Sequence, residues 1–266
     1  MRYPLPTSLR DSALAHESGQ QAVAAKDAAT VALLRDGRAG LECYLLRRRA
    51  SMAFAAGMYV FPGGGVDARD AGAVSWAGPS AAHWAERLAC PPALAQALVC
   101  AAVRETFEEA GVLLAGPDTE QVVDVSAQDW ESERAALARG SSSLHEVLTR
   151  RGLVVRSDLL AAWTHWITPS FEPRRYDTRF FVAALPAGQR ARDVSTESDR
   201  VAWMTPADAL AGAVALMPPT QVTLAELAQY QTVAEVIGAA QVRAITPIEP
   251  RAVRDGDELW LEVDLP

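Results

Sequence analysis

The chain has 266 residues, of which 50% are hydrophobic and 22% charged. This is the balance of one large globular domain or two small ones, and it excludes a mainly disordered chain, a collagen-like chain and a small disulfide scaffold. The formal net charge of −8 argues against nucleic-acid or anionic-membrane partners, because both require clustered positive charge. A polyanionic substrate would need local positive charge, and a divalent metal is the obvious source.

Residues 1 to about 26 are polar, alanine-rich and irregular and read as a loose N-terminal arm. Their start, Met1-Arg-Tyr-Pro-Leu-Pro6, lacks the charged-then-apolar pattern of a signal peptide. Ala29–Arg35 and Leu41–Arg49 read as two strands joined by a turn at Asp36–Gly40, a hairpin. Met58-Tyr-Val-Phe61 is a short apolar run cut by Pro62 and by Gly63, Gly64 and Gly65. Ser80 is a fitting N-cap for a short helix over about 81–89. The clearest helix runs from about 92 to 110, with Pro92 suited to its first turn and Gly111 to its end.

Residues 120–160 read as largely helical with a break at Ser141–Ser143. Strands are expected at Trp163–Thr168, Thr178–Leu185 and Val201–Met204, and Pro206 starts a helix. Further helices fall between about 219 and 240, either covering the sheet or forming a homodimer contact. Arg251–Val263 reads as a closing hairpin around Asp255-Gly-Asp257. The C-terminal Val263-Asp-Leu-Pro266 matches no retention or peroxisomal address. No stretch approaches the uncharged apolar length that spans a bilayer. The alternation of strands and helices points to one α/β or α+β sandwich. Cys43, Cys90 and Cys100 are odd in number and not spaced as paired metal ligands, which suits reduced thiols in a cytoplasmic protein. His16, His83, His145 and His165 are scattered, so no zinc site is expected.

The chemistry is concentrated in Arg104-Glu-Thr-Phe-Glu-Glu-Ala-Gly-Val112. At 100° per residue, Glu105, Glu108 and Glu109 fall within one arc of a helix, where like charges repel. Arg104 can bridge to Glu108 but cannot neutralise three carboxylates. Solvent relieves the repulsion if the face is wet. A hard divalent cation relieves it otherwise, taking carboxylate oxygens and leaving positions for water and phosphate.

A glycine loop followed by a helix bearing Arg-Glu-x-x-Glu-Glu-x-Gly resembles the signature of the Nudix hydrolases. Gly64 fits the opening glycine, Asp70 stands at the first glutamate, and Arg104, Glu105, Glu108, Glu109, Gly111 and Val112 fit the remainder. There are three departures: Asp70 replaces glutamate, Thr106 replaces an apolar residue, and 33 residues (71–103) separate Asp70 from Arg104. An insertion inside the signature resembles the Nudix motif 19-like branch, associated with coenzyme A diphosphatase activity, as does Glu172-Pro-Arg-Arg-Tyr-Asp-Thr-Arg-Phe-Phe181.

The resemblance implies a Nudix-type α/β/α sandwich with a mixed sheet: one domain over 27–266, an insertion at about 71–95 and additional C-terminal helices. It implies Mg²⁺- or Mn²⁺-dependent hydrolysis of a diphosphate bond in a nucleoside diphosphate-linked small molecule, with coenzyme A or an acyl-coenzyme A as favoured substrate. ADP-ribose, dinucleotides and nucleotide sugars are the alternatives, and a catalytically silent nucleotide sensor is the rival class. By analogy Glu105, Glu108 and Glu109 bind metal, the Gly64 carbonyl joins them, and Arg104 orients the carboxylates. The general base is a signature glutamate or an acid on a later loop, for which Glu197 is a candidate.

Among weaker signals, Arg47, Arg48 and Arg49 end a strand, and alternation puts Arg47 and Arg49 on one face as candidate phosphate grips, with a solvated strand end as the alternative. Leu45-Leu46, Arg49-Ala50, Gly57 and Phe61–Gly64 are similar to an additional Arg-rich motif of some coenzyme A-cleaving Nudix proteins, with spacing one residue long. Arg174, Arg175 and Arg179 are candidate phosphate contacts. Tyr176 or Phe171 would stack on a base or serve in packing. Trp76 and Trp84 would shape a substrate wall or anchor the insertion.

Overall fold

A computed structural model describes residues 1–51, 55–72, 74–256 and 258–265. Asp257, in the expected hairpin tip, lies outside them. Along Lys26–Gly37 the apolar side chains enter two different cores, and this fixes the layering. Ala29, Val31 and Leu33 join one, Ala32 and Leu34 the other. A strand buried on both faces needs a covering layer on each side.

The elements in chain order are β1 (Arg2–Pro4), α1 (Thr7–Glu17), β2 (Lys26–Gly37), β3 (Gly40–Arg48), β4 (Tyr59–Val60), β5 (Gly63–Gly65), β6 (Trp76–Ala77), α2 (Ala81–Leu88) and α3 (Pro92–Ala110). Then follow β7 (Ala115–Gly116), α4 (Gln128–Ala138), α5 (Leu144–Arg151), β8 (Val154–Arg156), β9 (Ala161–Ile167), β10 (Tyr176–Ala184) and β11 (Ser198–Met204). The chain closes with α6 (Pro206–Asp208), α7 (Pro218–Leu227), α8 (Val233–Val242), β12 (Pro247–Ile248), β13 (Arg251–Asp255) and β14 (Glu258–Glu262).

The main sheet has the order β11-β3-β2-β10-β9-β12, with β4 added on β3 and β5 on β2. β10 runs parallel to β2 and β12 parallel to β9; β2–β3, β3–β11 and β9–β10 are antiparallel. The sheet is therefore mixed, as the resemblance implies. α2 and α3 cover one face together with α4 and α5; α7 and α8 cover the other.

α3 starts with Pro92 at its first position and stops at Gly111, whose φ of 67° is left-handed and cheap only for glycine. Much of the inserted segment becomes helix. Its first part carries β6, its middle forms α2, and its last part lengthens α3 toward the N-terminus. Trp84 of α2 is buried with its ring edge-on to Phe181, and Trp76 sits in the small β6-β8-β7 sheet. Both tryptophans anchor the insertion, and neither lines the cleft described below.

Two segments differ from expectation. Residues 120–160 contain α4 and α5 but also β8, because Val154–Arg156 pairs with both Trp76–Ala77 and Ala115–Gly116. The first residues do not form a loose arm. β1 pairs antiparallel with β14, and Tyr3, Leu5, Leu9 and Ala13 pack against Phe171, Leu259 and Leu261. Their apolar partners lie at the far end of the chain, where no local pattern points to them.

The long helix carries the core it shares with β2. Leu98 is fully buried on α3, so Leu98→Ala should cost about 2–5 kcal/mol. This is read as a lower midpoint in urea denaturation with an unchanged slope.

Candidate active site

The site begins with a gap in a hairpin. β2 and β3 pair only from Leu34↔Cys43 to Gly37↔Gly40. Toward the N-terminal end of β2 that partner is replaced by β5, with Ala28↔Gly65, Ala29↔Gly64 and Thr30↔Gly63 in register. The wedge leaves no room for a side chain at Gly63, and one at Gly64 would displace the Glu105 carboxylate. A Cβ on Gly63 would lie 2.6 Å from the Ala29 carbonyl oxygen, and one on Gly64 would lie 2.3 Å from Glu105 Oε1. The glycine run therefore lets backbone touch the carboxylates of α3. The Gly63 N–H donates to Glu109 Oε2 at 2.8 Å.

Arg104 is the hub. Its Nε and Nη2 donate to the two oxygens of Asp70, each at 2.9 Å, and Nη2 also reaches the Gly65 carbonyl at 2.9 Å. Nη1 reaches Glu105 Oε1 at 2.7 Å and Glu108 Oε1 at 3.3 Å. Asp70 is 1% exposed and sits in a 3₁₀ turn (Ala68–Ala71) capped by Asp67. That turn carries the shorter aspartate to the guanidinium across the insertion. Thr106 is also fully buried, and its hydroxyl donates to the Ala102 carbonyl, which satisfies its polarity inside the helix.

The electrostatics around Arg104 are crowded. Burial opposes its charge, yet Asp70, Glu105 and Glu108 together hold it more firmly protonated than usual. Burial pushes Glu105 up to about 7, against the pull of Arg104 and with a push from Glu108. Burial likewise raises Glu108 and Glu109, with Glu105 adding to the latter. A cation would relieve all three acids at once, and carboxylate plus carbonyl oxygens are the donors a hard divalent ion prefers. Their chemistry therefore fits a metal. Their rotamers are turned elsewhere, toward Arg104 and the Gly63 amide, and among the described residues no three acidic, His or Cys side chains already converge into a cage.

These acids open onto a cleft of about 460 Å³. Gly63, Gly64, Gly65, Glu105, Glu108, Glu109, Arg48 and Glu197 line one part of it. Trp166, Phe180, Tyr176, Met217, Pro218, Pro250 and Leu261 line another, with Glu172 and Arg174 on the loop between β9 and β10.

Not every expected residue reaches this cleft. Arg47 pairs with Asp199 at 2.6 Å and Arg49 donates to the Ser198 carbonyl; neither lines it. Arg48 does, sharing strand parity with Tyr44 and Leu46, which pack in the core containing α3. Glu197 lies 3.7 Å from Arg48 and keeps 57% of its side chain exposed. Arg174 lines the cleft, whereas Arg175 is held by Glu249 and by the Thr168 and Val23 carbonyls. Arg179 is 4% exposed and paired with Asp177, and it faces away from the cleft wall formed by its neighbours Thr178 and Phe180. Of the two aromatics, Tyr176 lines the cleft and Phe171 packs under the terminal strands. Sequence reading assigned no site role to Trp166, Glu172 or Phe180, although Glu172 and Phe180 lie in the run Glu172–Phe181 that resembles the Nudix motif 19-like branch. Trp166 lies in a predicted strand, and no spacing marks it.

The geometry agrees with what the chain resembles. The family model described as NUDT19 Nudix domain matches residues 80–224. Acyl-coenzyme A diphosphatase NUDT19 of Xenopus laevis is 30% identical over 155 residues, 52% of this chain and 40% of that protein. Putative nudix hydrolase 7 of Caenorhabditis elegans is 31% identical over 194 residues, 70% of this chain and 56% of that protein. The matched stretch thus spans about half the length of these two relatives. Acyl-coenzyme A diphosphatase NUDT19 of Gallus gallus is 26% identical over 279 residues, covering 86% of this chain and 70% of its own. Among solved structures, a NUDIX hydrolase from Alicyclobacillus acidocaldarius superposes with a TM-score of 0.68 at 27% identity, covering 85% of this chain and 99% of its own.

Removing one member of a buried pair strands the other. Arg104→Met should cost about 3–5 kcal/mol, and adding Asp70→Leu should recover part of that loss. Urea denaturation of the two single variants and the double variant measures the coupling.

Proposed function

The chain belongs to the Nudix family matched by the NUDT19 Nudix domain model, and on that premise we propose that it hydrolyses the diphosphate bond of coenzyme A or an acyl-coenzyme A. The observation that carries this reading is the cleft itself, where the three signature glutamates, Gly64 and Arg48 share one surface with an apolar wall. The curated relatives in frog and chicken bear the name acyl-coenzyme A diphosphatase, which supports the choice of substrate.

Nudix hydrolases generally use divalent metals. In this reading Glu105, Glu108 and Glu109 hold Mg²⁺ or Mn²⁺, with the Gly64 carbonyl beside them. The ion supplies positive charge against the diphosphate as negative charge develops during hydrolysis. Arg104 orients the carboxylates through the ion pairs described above. Arg48 and Arg174 meet the phosphate oxygens from the cleft wall, a task that suits the guanidinium fork. Glu197, beside Arg48 on the same cleft, takes the proton of the attacking water. The wall of Trp166, Phe180, Met217 and Pro218 receives the part of the substrate beyond the diphosphate and keeps water away from it. α3 holds the three glutamates and Arg104, β3 holds Arg48, β5 holds Gly64, and β9 and β10 hold Trp166 and Phe180, so that little ordering of these groups is left to substrate binding.

Purified protein with coenzyme A and Mg²⁺ should yield 3′,5′-ADP and 4′-phosphopantetheine, identified by mass. The double variant Glu108→Gln, Glu109→Gln should lose more than about 100-fold of the rate, since loss of residues merely supporting metal ligands already costs 10–100-fold. No cleavage of coenzyme A by the parent protein would overturn the substrate. A panel of ADP-ribose, dinucleotides and nucleotide sugars would then test the hydrolase reading, and silence across the panel would leave a nucleotide sensor.

A further inference from the structure

The cleft lining includes an acidic side chain that the reaction above does not use. Glu172 sits on the loop between β9 and β10, lines the cleft and is half-buried. Among the described residues its carboxyl group makes no hydrogen bond or ion pair. Its backbone N–H is already turned back to the Pro169 carbonyl. Burial alone pushes its pKa upward, with no neighbouring charge offsetting the effect. Arg174, two residues on, lines the same cleft but remains exposed and makes no ion pair with it.

The loop is not free to carry Glu172 away. The Ser170 hydroxyl meets His16 Nε2 of α1 at 3.0 Å, Phe171 is 7% exposed under the terminal strands, and Arg175 is tied to Glu249 at 2.7 Å. A carboxyl held at the edge of apolar surface without a partner is costly unless something supplies a donor.

A complementary group lines the same cleft. Trp166 lines the cleft and is 3% exposed, and its Nε1–H is buried without an acceptor. A lone acceptor and a lone donor lining one cleft match the N–H and C=O of an amide, which point to opposite sides of the trans unit. A cation would satisfy only Glu172. The apolar lining of the cleft includes Met217, Pro218, Pro250 and Leu261, which suits a thin aliphatic chain interrupted by amides.

We propose that Glu172 is a specificity-determining residue that accepts a hydrogen bond from an amide N–H in the non-nucleotide arm of the substrate, with Trp166 Nε1–H donating to the amide carbonyl. The indole N–H is closed to water, so the carbonyl reaches it only with a tilt of the ring into the cleft. This rests on the reading of the cleft as a diphosphate hydrolase acting on an amide-bearing substrate. Selection then comes from unpaired buried groups. A substrate arm without an amide leaves both the carboxylate and the indole unsatisfied, a stronger filter than the loss of apolar contact alone.

The test is steady-state hydrolysis of coenzyme A with Mg²⁺, together with calorimetric titration of 3′,5′-ADP, which has the nucleotide but lacks the arm. Glu172→Ala should raise KM for coenzyme A roughly 10–100-fold, the range for losing a hydrogen bond to a charged group, and hold kcat within about twofold. Glu172→Gln keeps an acceptor and should restore most of the KM. Trp166→Phe keeps the ring and should also raise KM. Affinity for 3′,5′-ADP should stay within about twofold in all three. An unchanged KM in Glu172→Ala overturns the proposal while leaving the hydrolase reading intact. Equal losses for coenzyme A and 3′,5′-ADP overturn it as well, by assigning Glu172 to the nucleotide. No cleavage of coenzyme A by the parent protein overturns the reading itself, and the proposal with it.

Discussion

The bidentate contact between Arg104 and Asp70 is the constraint on which the site depends. It is buried, and it closes a loop of 33 intervening residues across the inserted segment. The same guanidinium holds the Gly65 carbonyl, Glu105 and Glu108. One side chain thus fastens the glycine strand, the turn before the insertion and the acid-bearing helix at a single point. The insertion can be long because the entropy of closing a loop grows slowly with its length, provided that the closing contact survives. A buried pair of this kind adds little net stability over an apolar substitute, but breaking one half is expensive. Its value lies in fixing position.

That position carries an electrostatic cost. Glu105, Glu108 and Glu109 are brought together where water is scarce, and burial pushes all three pKa values upward. A helix designed only for stability would not carry three acids on its covered face. α3 tolerates them because the rest of its surface is apolar and buried between the sheet and α2. The strain of the site is therefore offset by an unusually long helix, and the insertion supplies part of that length. The insertion contributes scaffold in this way, with Trp84 locking it to Phe181 and away from the cleft.

The distal part of the cleft is built by segments remote from the signature. Leu261 comes from β14 and Pro250 from the turn before β13, and β14 is itself held by β1 at the opposite end of the chain. The loop bearing Glu172 is clamped between α1 and this terminal sheet. The acids occupy one helix, whereas the apolar lining of the cleft is assembled from β9, β10, the start of α7 and the C-terminal hairpin, which β1 braces. The acids and the apolar lining are thus supplied by different parts of the fold.

Some of this could be read locally. Pro92 and Gly111 bound α3 because proline and left-handed glycine have fixed places at helix ends. The spacing of Glu105, Glu108 and Glu109 puts them on one arc whatever surrounds the helix. Gly63, Gly64 and Gly65 announce a close backbone approach, though not what approaches. Tertiary structure alone decided the rest. Strand alternation separates Arg48 from Arg47 and Arg49, but which face meets the cleft depends on where β3 parts from β2. Arg175 and Arg179 carry the charge expected of phosphate grips, yet Glu249 and Asp177 claim them, one from far along the chain and one from the same strand. Trp166, Glu172, Met217 and Leu261 meet only after folding. Helix ends and glycine contacts follow from the backbone preferences of single residues, so the sequence by itself determined them. Cleft walls and ion-pair partners follow from which distant surfaces pack together, and no local preference encodes that.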